Sequence, residues 1–84
     1  MISVKVLFFG EAWQLVGKRE EAIEFPVETT NEQIRRIVLE KFPALLKIEK
    51  NMILAVDQEY ASPGEQFQLE RFSEIAIIPP LSGG

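Results

Sequence analysis

The residues of this chain that could do covalent chemistry are few. It has no cysteine and no histidine, which removes thiol nucleophiles, disulfides, zinc sites of the usual kind and imidazole acid-base catalysis. A nucleophile and its base would have to come from Ser or Thr with Lys or a carboxylate, and no spacing singles out such a pair. The acidic pairs Glu20-Glu21 and Asp57/Glu59 read as exposed charges on strand ends and turns rather than as proton-transfer partners. The glycines at 10, 17 and 64 stand alone, so there is no phosphate-cradling loop. What remains is the ending IIPPLSGG, Ile77 to Gly84.

A bare diglycine contributes nothing to a core, so it is either terminal fray or the working part. The residues before it favour the second. Pro79 and Pro80 fix φ near -65° and hold an extended path, which lowers the ordering cost of a tail that inserts elsewhere. Six residues at about 3.3 Å each reach roughly 20 Å beyond the last strand, enough to enter a pocket of another protein. Gly83 and Gly84 lack Cβ atoms and fit a channel too narrow for any side chain, with the terminal carboxylate arriving first. Locking six free residues costs on the order of 10 kcal/mol, which a partner must offset with contacts. Leu81 and Ser82 span the approach, and Leu81 can supply part of that contact.

The elements that must carry this tail are legible from periodicity. ISVKVLFF alternates, with Ile2, Val4, Val6 and Phe8 on one face, and predicts a strand. The other face is unusual in ending on two apolar residues, Leu7 and Phe9. GEAWQLVGK brings Ala12, Leu15 and Val16 together at helical spacing and closes at Gly17, a short helix in which Trp13 is expected to serve packing. EEAIEFP is a second strand, with Ile23 and Phe25 inward and a stop at Pro26.

TTNEQIRRIVLEKFPALL carries the long helix. Thr29 or Thr30 caps it, and Glu32 or Gln33 completes a capping box. Ile34, Ile37, Val38 and Phe42 form its apolar stripe, with Glu32, Arg35, Arg36 and Glu40 toward water, and Pro43 ends it by Phe42. After a polar link, NMILAVDQEYA predicts a strand with a turn around Asp57 to Glu59, SPGEQF a Pro63-Gly64 turn, and EIAIIPP a last strand with Ile75 and Ile77 on one face and Ala76 and Ile78 on the other. The order strand, short helix, strand, long helix, strand, strand predicts an α+β domain: one mixed sheet wrapped on one face around the long helix, a β-grasp with the first and last strands in the middle. Residues 1–78 form that single domain and 79–84 its extended tail.

Composition narrows the partners. A 46% hydrophobic share with six Phe separates the chain from disordered sequences. Thirteen acidic against nine basic residues give a net charge of -4, and with no basic cluster beyond Lys18-Arg19 and Arg35-Arg36 a nucleic-acid surface is not expected, whereas a basic protein surface is. No apolar run approaches the roughly 20 residues of a membrane span, and MISVKVLFFGEAW lacks the features of a signal peptide. The expectation is a soluble cytoplasmic domain that binds neither nucleic acid nor membrane.

With these residues in place, the chain resembles the small subunit of molybdopterin synthase, a family of ubiquitin-like sulfur carriers. The likeness runs through KVLFFGEAWQLVGK, the long helix ending in Phe-Pro, ILAVDQEY and, most specifically, EIAIIPPLSGG. The ending Pro-Pro-x-Ser/Thr-Gly-Gly separates this family from the thiamine-pathway carrier, which is shorter and lacks the two prolines. Asp57 stands where the family usually has Asn, and RFSEIA replaces its commoner Asp-Gly-Asp-Glu-Val-Ala. Both departures fall at turns and leave the tail untouched.

The resemblance implies that the reactive group is the Gly84 carboxylate. An E1-like adenylyltransferase consuming ATP would make it a glycyl adenylate, and a sulfur donor of desulfurase or rhodanese type would convert that to a thiocarboxylate. The tail, Pro79, Pro80, Leu81, Ser82, Gly83 and Gly84, would then insert into the large subunit of a 2+2 heterotetramer and give sulfur to cyclic pyranopterin monophosphate, two transfers making the molybdopterin dithiolene. It further implies that Phe9, Tyr60 and Ile78 form a hydrophobic patch for both partners, that no metal or permanent cofactor is held, and that the chain has no turnover of its own. The alternatives are a ubiquitin-like modifier that forms isopeptide bonds or merely docks in a groove, or a sulfur carrier of the thiamine or tRNA thiolation type.

Overall fold

The computed structural model describes residues 1–79. Strand β1 (Ile2–Phe8) is followed by helix α1 (Gly10–Val16), β2 (Glu20–Phe25), β3 (Glu28–Thr30), α2 (Asn31–Lys41), a 3₁₀ segment (Pro43–Asn51), β4 (Ile53–Val56), β5 (Glu59–Tyr60), β6 (Gln66–Gln68) and β7 (Glu74–Ile78). The main sheet has the order β2-β1-β7-β4-β5, and β3 pairs with β6 in a small second sheet. β1 and β7 run parallel, Phe8 opposite Ile77, while β2 and β4 flank them antiparallel. The first and last strands therefore lie side by side inside the sheet, as expected of a β-grasp.

One face of the sheet is the core. Val4, Val6 and Phe8 of β1, Ile23 and Phe25 of β2, Leu54 and Val56 of β4, and Ile75 and Ile77 of β7 are all buried there, and Ile34 and Val38 of α2 join the same cluster. This is the period-two and period-3.6 patterning of the sequence, converted into one interior. Phe8 meets Phe42, the residue that closes α2, edge to face with ring centroids 5.2 Å apart, which ties the helix end to the first strand.

Thr30 caps α2, its Oγ1 accepting from the Gln33 N–H at 3.1 Å. The reciprocal half of the expected capping box is absent, because Gln33 Oε1 instead accepts from the Thr29 hydroxyl at 2.8 Å. Glu32 turns outward and accepts from the Gly64 N–H at 2.9 Å, pinning the Pro63-Gly64 turn to the start of the helix. That bond and its own backbone N–H, with a lesser contribution from the Arg35 charge, hold the Glu32 carboxyl below the ordinary 4.5 against an opposing effect of desolvation. A carboxylate depressed on folding stabilises fully above its unfolded value and ceases to do so as pH falls through its folded one. Stability of the wild type relative to Glu32→Gln is therefore expected to be greatest above about pH 4.5 and to vanish on acidification, as measured by urea unfolding across that range.

Two parts of the chain differ from the sequence expectation. The polar link after α2 is a nine-residue 3₁₀ segment that buries Leu45 and Ile48, three apart as three residues per turn requires. Arg35, expected to face water, instead donates from Nη1 to the Met52 carbonyl and from Nη2 to the Glu49 carbonyl, both at 2.8 Å. Its planar fork satisfies two carbonyls at the end of that segment and directs the chain into β4.

The turn between β4 and β5 places Asp57 and Gln58 at φ 51° and 70°, the left-handed values a two-residue type I′ hairpin needs. Asp57 Oδ1 accepts from the Glu74 N–H at 2.9 Å and the Asp57 N–H donates to the Glu74 carbonyl at 2.8 Å. Aspartate in place of the expected asparagine thus supports the turn and fastens it to the start of β7. Beside it, the RFSEIA stretch makes its own turn, closed by Ser73 N–H to the Glu70 carbonyl and by the Ser73 hydroxyl accepting from the Glu70 N–H.

Candidate functional site

The sheet face turned away from the core carries an apolar surface built row by row. Directly paired residues on neighbouring strands share a face, so the pairings Leu7 with Ala76, Ala76 with Ala55, and Ala55 with Tyr60 draw one row across four strands. One step nearer the tail, Ile78 pairs with Ile53. Phe9 extends this second row from β1: its backbone is extended at φ -113°, ψ 152°, and its N–H donates to the Ile77 carbonyl at 3.1 Å.

Phe9, Ile53 and Tyr60 are 48%, 36% and 72% exposed, and Leu7, Ala76 and Ile78 are half-buried. Large apolar side chains grouped on an uncovered face mark a surface for a partner. Of the three residues expected in the patch, Phe9 and Ile78 are neighbours beside the exit of the chain. Tyr60 lies one row below at the sheet edge and joins them through Ala55 and Ala76.

Leu7, Ile53 and Ala76 complete the surface, with Ala55 buried beneath it, and none of them stands out in the sequence as a site residue. The signal for Leu7 was present in its apolar place on the outward face of β1. Ile53 and Ala55 carry no comparable signal, because only the strand register reveals that they adjoin Ile78 and Ala76.

At the tail end of this face, Pro79 follows β7 half-buried, its ring over the start of α1 beside Gly10. Pro80, Leu81, Ser82, Gly83 and Gly84 lie outside the described residues. Trp13, expected to serve packing, is 37% exposed and packs against Arg19, whose guanidinium lies 4.1 Å from its ring centroid. A seven-residue helix that turns Ala12 into the core and half-buries Leu15 and Val16 leaves Trp13 on its outer side, where a cation over the ring is favourable. Among the described residues no cluster of three or more Asp or Glu is placed to hold a metal ion.

The face therefore offers apolar contact, and a chain leading off one end of it, rather than a pocket of acids and bases. The model of the ThiS family matches residues 6–84. The chain is 76% identical over its full length to the whole of the molybdopterin synthase sulfur carrier subunit of Caenorhabditis briggsae. The crystal structure of H. volcanii small archaeal modifier protein 1 shares the fold, with a TM-score of 0.79 at 16% identity over 96% of this chain and 100% of that one. So does a chain in the complex of subunits 1 and 2 of molybdopterin-converting factor from Helicobacter pylori, with a TM-score of 0.68 at 19% identity over 99% and 100% of the two chains. The uncovered apolar face, the β-grasp and the match along nearly its whole length agree: the chain belongs to the ThiS family, together with the molybdopterin synthase sulfur carrier subunits.

Proposed function

We infer that this protein is the sulfur-carrier subunit of molybdopterin synthase, a small partner subunit without a catalytic role of its own. The observation that carries this is the 76% identity to a sulfur carrier subunit over the full length of both chains. The large subunit of the synthase is its partner. In the 2+2 heterotetramer we propose, the apolar face centred on Phe9, Ile78 and Ile53 docks while the tail from Pro79 onward enters the large subunit's site.

The chemistry we propose follows from what a carboxylate lacks. It is a poor electrophile, so the Gly84 carboxylate attacks the α-phosphorus of ATP on an E1-like enzyme, pyrophosphate leaves and a glycyl adenylate forms. The outer sulfur of a persulfide on a desulfurase or rhodanese type of donor attacks the acyl carbon and AMP departs, giving an acyl disulfide. A second thiol on the donor or the activating enzyme then attacks the donor-side sulfur, is oxidised to a disulfide with it, and releases the thiocarboxylate. Docked in the large subunit, the thiocarboxylate sulfur bonds to a carbon of cyclic pyranopterin monophosphate, displacing an oxygen substituent there. Water then cleaves the thioester to Gly84 so that the carboxylate returns; two such transfers supply both sulfurs of the dithiolene. A chain with no thiol holds transferable sulfur at this one place. ATP is consumed by the partner, and neither a metal nor a permanent cofactor has a part in this chain's role.

We place the protein in the cytosol, in keeping with a sequence free of cysteine; among the described residues no helix is long and apolar enough to cross a membrane. Intact mass spectrometry after incubation with activating enzyme, ATP and sulfur donor tests the assignment. One sulfur-for-oxygen replacement at Gly84 is expected, whereas covalent ladders on other proteins would favour the modifier reading, which the structural likeness to small archaeal modifier protein 1 keeps in view.

The docking face makes a separate prediction. Phe9→Ala removes an exposed ring beside Ile78 at the tail end of the patch and is expected to weaken capture by the large subunit by about tenfold or more, the loss typical of an interface anchor. Its melting temperature should change little. A collapse of the melting temperature with unchanged capture would place Phe9 in the core instead.

A further inference from the structure

Gly10 opens α1 at φ +53°, and a Cβ built on it would lie 3.0 Å from Pro79 Cγ and 3.7 Å from Pro79 Cδ. Carbon atoms pack best at about 3.5–4.0 Å, so the missing side chain at position 10 is what lets the proline ring settle against the start of the helix. The backbone just before Gly10 is fixed to the strand that leads into Pro79: Phe9 N–H donates to the Ile77 carbonyl at 3.1 Å, and the Phe9 carbonyl accepts from Ala12 N–H at 3.0 Å. Seat and ring are thus held by the same strand pair.

We propose that Gly10 is a positioning residue for sulfur loading and transfer: it seats the Pro79 ring and thereby sets the direction in which the chain leaves the sheet. The proposal rests on the sulfur-carrier assignment. Its leverage comes from chain geometry. Pro79 and Pro80 each have φ fixed near -65°, so a tilt at the first ring is handed to the second. Five residues follow Pro79, and an extended chain of five spans about 17 Å. A shift of a few tenths of an ångström at the ring is carried forward by the two fixed φ angles and partly absorbed beyond them, so about 0.5 Å is the scale to expect at the carboxylate, where a misplacement of 1 Å costs about 10²-fold in rate.

The test is a rate cycle on Gly10→Ala, Pro79→Ala and the double variant in the full chain, with the activating enzyme, ATP and sulfur donor, read by intact mass. Gly10→Ala is expected to lower the maximal loading rate by about tenfold, less than a full 1 Å misplacement because the ring can give partly. The half-saturating carrier concentration, set by the sheet face, should stay within about twofold. With Pro79 already Ala the same substitution should cost under about twofold, the non-additivity expected of residues in contact. A wild-type nuclear Overhauser contact between Gly10 Hα and the Pro79 ring should accompany it, and its absence would overturn the proposal even if Gly10→Ala failed to fold.

Equal losses in both backgrounds would trace the effect to left-handed backbone strain at position 10 and overturn the seat, as would no loss in either. If the wild type itself gained no sulfur, the carrier assignment would fail and this inference with it. If the wild type loads and the cycle shows no coupling, only the inference fails.

Discussion

Deleting Gly84 is expected to abolish sulfur loading while leaving the domain folded. The buried core runs through Ile77, and a terminal glycine has no side chain to contribute to it. The deletion withdraws the carboxylate by one residue, about 3.3 Å along an extended chain, and adding one residue after Gly84 advances it by the same amount. Both displacements exceed the 1 Å that costs about 10²-fold, so each variant should lose at least that much in ATP-dependent activation. Intact mass and thermal melting decide it. Wild-type loading of either variant would contradict a terminus-specific channel, and loss of cooperative unfolding in the deletion would show that the tail is structural.

A large loss of stability is expected at one of two adjacent leucines with opposite fates, and almost none at the other. Leu45 is fully buried and Leu46 is 56% exposed, because the 3₁₀ segment turns one inward and the other to the surface. Leu45→Ala should cost about 2–5 kcal/mol from lost transfer energy and the cavity left behind. In a domain of this size that lowers the melting temperature by about 8–40 °C, and it is a large share of a typical total stability of about 5–15 kcal/mol. Leu46→Ala should stay within about 0.5 kcal/mol. Comparable losses in the two variants would mean that the segment does not hold the orientation described.

That contrast also shows where sequence patterning stops being informative. Alternation in ISVKVLFF, EEAIEFP and EIAIIPP is a signal long enough to reveal both the strands and their inward faces, and Ile34 with Val38 reveals the buried side of α2. ALLKIEKN offers no such signal. Leu45 and Ile48 are three apart, a spacing shared by an α-helical stripe, a 3₁₀ turn and chance, and the lysines and glutamate around them read as a loop. β3 and β6 are three residues each, too short for alternation to show, and Thr30 is both the end of β3 and the cap of α2.

At the site, the chemistry was more legible than the surface. The diglycine and the two prolines stand together in the sequence, so the tail could be picked out without a fold. Strand parity puts Phe9 and Ile78 on outward faces, but only the family resemblance joins them, with Tyr60, into one patch. Ile53 became part of the patch only through its pairing with Ile78, a contact between distant parts of the chain. Arg35 is the reverse case: its position on the helix predicts solvent, and two carbonyls of a segment not foreseen as ordered draw it back. Backbone groups at the end of an element need partners, and a long guanidinium one helix away met that need in a way no local pattern encodes.

The parallel pairing of β1 with β7 bears on when this protein becomes usable in the life of the chain. The sheet has no middle until Glu74–Ile78 has been made, because β7 alone separates β1 from β4. Joining strands from opposite ends of a sequence requires closing nearly the whole chain, which is slow compared with forming local structure. A nascent or truncated product lacking β7 leaves β1 and β4 with open edges and has no settled sheet to offer a docking partner. Folding here therefore certifies synthesis: the apolar face of Leu7, Ile53, Ala76 and Ile78 assembles only after the strand that bears the tail has taken its place.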